Sequence, residues 1–155
     1  MKKILFVFLF SVLVVGAAFI IYVKSNPPLA ISAYTSLKDN PTVKIIELEN
    51  KGLQEIQLQQ VLINDKIPEK IELVVSKSAP FEAEMEMEND PNITFYKLGQ
   101  ITIFPSQFID RQALGKQPQH YAVRMEAADM KTITVKYTYL KIPFTLKAAL
   151  QTNKK

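Results

Sequence analysis

Glu82, Glu84, Glu86, Glu88 and Asp90 place a carboxylate at every second position of one short segment. Side chains of an extended chain alternate between faces, so all of these would stand on one side, about 6.6–6.8 Å apart. Such a row suits a cation-binding stripe or a face for a basic partner. Calcium takes roughly six to eight oxygens converging on one point, and a single straight strand cannot converge its own side chains. A calcium site would therefore also need Asn89, Asn92 or another loop. The same row fits the solvent face of an edge strand, where charge discourages pairing with other chains. Phe81 to Glu88 is also rich in good helix formers.

His120 is the only histidine, and cysteine is absent. Nucleophilic or acid–base catalysis needs the imidazole beside a positioned Ser, Asp or Glu. His120 instead lies on the polar side of an alternating stretch near Arg124, after the loop Gly115-Lys116-Gln117-Pro118-Gln119, and reads as a surface loop histidine. One histidine without cysteine is a poor basis for a zinc site. The glycines form neither a Gly-x-Gly-x-x-Gly nor a Walker pattern, and no Gly-x-Ser-x-Gly is present. Catalytic residues, metal ligands and a cofactor are accordingly not expected, and the acidic row is the candidate cation or partner stripe. Met85, Met87, Tyr137 and Tyr139 read as packing residues, although tyrosines also line binding grooves. Asp110 and Arg111 are of the kind that binding loops use. Glu84 or Glu86 with Asp110 would serve an envelope hydrolase or transferase if the fold set two carboxylates about 5–10 Å apart. A calcium-stabilised adhesive domain is the other alternative.

These residues need a scaffold, and the N-terminus says where it stands. Lys2 and Lys3 precede an uncharged apolar run from Ile4 to Val23, followed by Lys24. A helix of about 20 residues is about 30 Å long, enough to cross the hydrocarbon core of a bilayer. Residues 1–24 are read as a cytoplasmic tip and signal-anchor. The lysines ahead of the span keep that end cytoplasmic and send the rest out. Cleavage as a signal peptide near Gly16-Ala17-Ala18 is the alternative, leaving a secreted protein. Without cysteine the exported part has no disulfide and rests on its core.

Residues 25–28, Ser-Asn-Pro-Pro, make a stiff spacer. The net charge is +4, from 19 Lys and Arg against 15 Asp and Glu. Setting aside Lys2, Lys3 and Lys24 leaves 19 − 3 = 16 basic against 15 acidic residues. That balance argues against a nucleic-acid surface, which needs clustered basic residues among stacking aromatics. Asn92-Ile93-Thr94 fits the short glycosylation pattern.

From residue 29 to 150 the pattern is that of short strands. Val43, Ile45 and Leu48 lead to a turn at Asn50-Lys51-Gly52. Ile56 and Leu58 alternate with glutamines, and the phase then slips by one to Val61 and Ile63, the mark of a β-bulge. Asn64-Asp65-Lys66 closes that segment. Ile71, Leu73 and Val75 form another strand, as do Tyr121, Val123 and Met125. Ile133, Val135, Tyr137 and Tyr139 alternate with polar residues, and Ile142, Phe144 and Leu146 follow. Phe108, Ile109, Ala113 and Leu114 are spaced for one helical face ahead of Gly115, which predicts a helical turn or two within 105–115. Residues 151–155 read as a frayed tail. The run Glu47–Asn64 resembles an Asn-x-Gly hairpin of immunoglobulin-like accessory modules. The expectation is an all-β chain: a single transmembrane helix, then an immunoglobulin-like β-sandwich, with a small β-barrel as the alternative. Its expected role is a non-enzymatic binding or assembly module of the cell envelope, with membrane or envelope proteins as partners.

Overall fold

The computed structural model describes residues 2–150. Met1 and the tail 151–155 lie outside the described residues. Helix α1 runs from Lys2 to Ser25 and is followed by eight strands. They are β1 (Leu29–Ser36), β2 (Val43–Asn50), β3 (Ile56–Ile63), β4 (Ile71–Ser76), β5 (Ile93–Tyr96), β6 (His120–Glu126), β7 (Thr132–Tyr139) and β8 (Ile142–Ala149). One antiparallel sheet has the order β1-β2-β6-β4-β5 and the other β3-β7-β8.

The alternation in the sequence is what brings the sheets together. Ile46 and Leu48 of β2, Leu73 and Val75 of β4, and Tyr121, Val123 and Met125 of β6 share one apolar cluster. That cluster also takes Ile56, Leu58, Val61 and Ile63 of β3 and Ile133, Val135, Tyr137 and Tyr139 of β7. The apolar faces of both sheets are thus removed from water together, the main favourable term in folding. The phase slip in β3 is a register shift between Leu58 and Gln60 opposite β7, which returns Val61 and Ile63 to the core face.

One expectation is met in part and another is not. Residues 105–115 are not helical beyond the 3₁₀ turn Ser106–Phe108. Pro105 pairs with Asn50, and Ile103 with Ile56, so this segment is tied to the sheets rather than coiled on itself. Residues 81–90 are neither strand nor helix but a run of turns. They form a strap across the outer face of the larger sheet. Phe81 and Met87 bury themselves there against Ile45, Val74, Ala122 and Ile93 in a second apolar cluster. The acid-out, apolar-in alternation survives in the strap without any strand pairing.

Each sheet ends in a modified edge. β1 shifts register between Ile31 and Ala33, and β5 is four residues long. β3 carries the bulge, and β8 holds Pro143 and Lys147.

The antiparallel pairings set the two ends of the domain. The start of β1, the ends of β2, β4 and β7, and the starts of β3, β6 and β8 lie at the end where α1 leaves. There Val23 joins the main apolar cluster, and the Lys51 N–H donates to the Pro28 carbonyl at 2.7 Å. Gly52 sits so close to the spacer that a Cβ would lie 2.8 Å from Pro28 Cβ and 2.9 Å from the Tyr139 ring. The spacer is docked. Asn50, fully buried, fixes this corner: its Nδ2 donates to the carbonyls of Gln54 and Ile103, and its Oδ1 accepts the Gly52 N–H.

Candidate functional site

The residues that gather most chemistry lie on the outer face of the larger sheet, at the helix end. Leu48 of β2 pairs with Tyr121 of β6, which puts Glu47 and His120 diagonally across the two strands. His120 Nδ1 lies 2.8 Å from Glu47 Oε1, with the side chains only 19% and 13% exposed. His120 is therefore a half-buried, paired strand residue and not a surface loop histidine. Arg111 donates to the backbone carbonyl of Gln119 at 3.3 Å, which brings its guanidinium beside the pair. Gln119 is buried; its Nε2 donates to the Asp110 carbonyl at 2.8 Å, and its Oε1 has no partner among the described residues. A cleft of about 270 Å³ takes in Glu47, Phe104, Ser106, Arg111 and His120.

A carboxylate holding one imidazole nitrogen fixes the ring and leaves the other nitrogen to a ligand. Ser32 and Ser106 line the same cleft but do not hydrogen-bond the ring. The nucleophile–base contact of a hydrolytic triad is thus not formed. What the cleft offers is a mixed lining, an anionic–imidazole pair and a guanidinium against the Phe104 and Ile109 side chains, suited to holding a polar group.

The acidic row is spread out by the strap. Glu84 pairs with Lys38 at 2.9 Å, and Glu88 with Arg124 at 3.0 Å. Arg124 also reaches Glu72 at 3.3 Å and lies over the Phe95 ring at 5.4 Å. Among the described residues, no three of His, Asp and Glu gather as metal ligands would. Glu86 lines a hollow with Leu37 and Asn40, whereas the carbonyl of Asp110 accepts from Gln117 and Gln119. The structure does not bring Glu84 or Glu86 together with Asp110. Met87, Tyr137 and Tyr139 are buried, and Met85 packs beside the strap cluster. Glu47 is not singled out by its sequence position; it is one of two acids on β2, with Glu49, and only the strand pairing marks it.

Burial also acts on Tyr121 under the cleft. Desolvation pushes its hydroxyl from 10.0 up to about 12, and the nearby Phe104 backbone only partly offsets this, without good hydrogen-bond geometry. Tyr137 is raised for the same reason. An unfolded tyrosine loses its proton near pH 10, so above that the unfolded chain binds fewer protons than the folded one. Stability should be full below pH 10 and fall as pH rises towards 12, by about 2 kcal/mol for Tyr121. Tyr121→Phe, which deletes an unpartnered buried hydroxyl, should leave the urea midpoint at pH 8 unchanged or higher and flatten the alkaline fall. An equally steep fall in the variant would assign it elsewhere.

Fold and cleft together define a mostly β domain of two antiparallel sheets carried on one apolar helix long enough to cross a membrane. No family model, curated protein or solved structure matches the chain.

Proposed function

We propose that the chain is a single-pass membrane protein whose exported domain is an immunoglobulin-like sandwich. It works as a non-enzymatic binding or assembly module of the cell envelope. The strand order supports the fold assignment. β1-β2-β6-β4 repeats the ABED order of a constant-type immunoglobulin sheet, and β3-β7-β8 repeats CFG, with β5 added beyond the D position. The observation that carries the functional reading is the docked spacer. Val23 in the core, the Lys51–Pro28 bond and the closeness of Gly52 to Pro28 tie the domain to its helix. A domain held that way meets membrane proteins or membrane-proximal wall material, and the Glu47–His120–Arg111 cleft is the place on it best equipped for contact.

Cross-linking the tagged full-length protein in its native membranes, followed by identification of what co-purifies, tests the reading. A specific partner that is lost with Glu47→Gln and Arg111→Ala in a normally folded protein places recognition on the cleft. Release of the protein from membranes by salt or carbonate, with nothing co-purifying, sinks it.

A further inference from the structure

Among the described residues, several large apolar side chains stand exposed on loop tips at the helix end of the domain, against one, Ile67, at the opposite end. Leu53 in the β2–β3 loop, Phe104 and Phe108 in the β5–β6 connection and Leu140 in the β7–β8 hairpin are all exposed. Bonds knit these tips into one surface around the spacer. The Leu53 N–H donates to the Tyr139 hydroxyl, next to Leu140, and Gln107 Nε2 donates to the Gly52 carbonyl, next to Leu53. The domain buries side chains of the same types elsewhere, so water contact here is not a general looseness of packing. α1 leaves beside this surface, where Pro28 meets Lys51 and Gly52.

The two tight hairpins make the contrast sharper. Both have positive φ at their two central residues, Asn64–Asp65 at the far end and Leu140–Lys141 at the helix end. A turn of this kind favours Asn, Asp and Gly, because other side chains are strained at positive φ. The far end follows the rule. The helix end sets it aside and holds a leucine at φ 52, a residue 41% exposed. Neither turn preference nor core burial accounts for leucine at that position. A surrounding that is itself apolar does.

We infer that Leu53, Phe104, Phe108 and Leu140 rest in the headgroup boundary of the bilayer that α1 crosses, so that the membrane surface is a ligand of the domain as well as its anchor. The inference rests on the reading of α1 as a membrane span. Apolar side chains shallowly inserted beside lysines are how proteins lie on a bilayer surface. Lys24, Lys51 and Lys141 are exposed at this end, with ammonium groups available to lipid phosphates. Glu49, 3.7 Å from Lys51, and Glu55 offset part of that charge, so the apolar tips carry the contact and the lysines frame it.

The chain contains no tryptophan, which makes a single introduced one a clean depth probe. Full-length Phe108→Trp, Leu53→Trp, Val15→Trp and Ile67→Trp would each be reconstituted into phosphatidylcholine–phosphatidylglycerol vesicles. Quenching would be measured with nitroxide lipids labelled at the headgroup or near the chain end. Ile67, 67% exposed at the far end, is the water reference; Val15, inside α1, is the depth reference. The expected result is blue-shifted emission for Phe108→Trp and Leu53→Trp. Headgroup nitroxide should quench them roughly twofold or more beyond Ile67→Trp. If Val15→Trp is quenched from the chain end while the two loop probes behave like Ile67→Trp, this inference is overturned and the span stands. If Val15→Trp escapes chain-end quenching, the span reading fails and takes the inference with it.

Discussion

Replacing Asn50 with leucine is expected to lower the stability of the β-domain by about 3–4 kcal/mol. Asn50 is 1% exposed and uses its amide fully, donating at 2.8 and 2.9 Å to the carbonyls of Gln54 and Ile103 and accepting from Gly52 at 2.9 Å. The Ile103 carbonyl keeps the Ile56 N–H as a second partner, but the Gly52 N–H loses its acceptor and Gln54 its donor. Leaving such groups unpaired costs about 1–3 kcal/mol each, whereas the leucine gains little in a site shaped for an amide. For a domain of this size the shift corresponds to a fall of about 10 °C or more in the thermal midpoint, read by circular dichroism of the full-length protein in detergent. Asn50→Asp should not rescue it. The carboxylate keeps the Gly52 contact but turns an acceptor towards two carbonyls and buries a charge. A shift under about 2 °C in Asn50→Leu would show that the corner is held by packing alone.

The second large effect is expected at Gly52. Its φ is not in the left-handed region, so glycine is needed there for space rather than for backbone freedom. A Cβ at this position would stand 2.8 Å from Pro28 and 2.9 Å from the buried Tyr139 ring, so Gly52→Val has to push the spacer off or move the ring out of the core. Overpacking of this sort costs about 3 kcal/mol. The spacer, held by one backbone bond, is the part that yields. Trypsin cleavage after Lys24 in detergent should therefore accelerate at least tenfold, since about 1.4 kcal/mol of easier opening corresponds to tenfold in rate when opening limits access. Gly16→Ala in α1, where nothing lies within 4 Å, is the matched control and should leave the rate unchanged. Equal rates in both would mean the spacer is not held by this corner.

The strands that could be read from sequence are those in which β-branched and aromatic residues alternate with polar ones. β2, β3, β4, β6, β7 and β8 all carried that signal, and the phase slip at Gln59 foretold a real register shift. β1 escaped because Ala30, Ser32, Ala33 and Ser36 dilute its apolar pattern and its own register shift breaks the period. β5 is too short to show one. In 105–115 the helical spacing of Phe108, Ile109, Ala113 and Leu114 yields only the 3₁₀ turn Ser106–Phe108, because Ile103 and Pro105 pair with strands about fifty residues away. The strap was misread for a related cause. Its alternation reports burial on a sheet face, and Ile45, Val74 and Ala122, the partners that make that face apolar, break alternation inside their own strands. The cleft was the least legible part. Glu47 and His120 are 73 residues apart, and nothing local to either announces the other.

The treatment of the sheet edges has its own consequence on the proposed reading of α1 as a membrane anchor. Such an anchor would reduce diffusion to two dimensions and align every copy with the same end up, the arrangement in which free strand edges would most readily zip together. Each edge interrupts that: a shifted register in β1 and β3, four residues in β5, a proline and an outward lysine in β8. Shifted registers and short strands offer no long run of free N–H and C=O groups, and Pro143 has no N–H to give. Copies crowded in one membrane would on that reading lack a long free edge through which to pair, and contact between them would fall to the ends and faces of the domain.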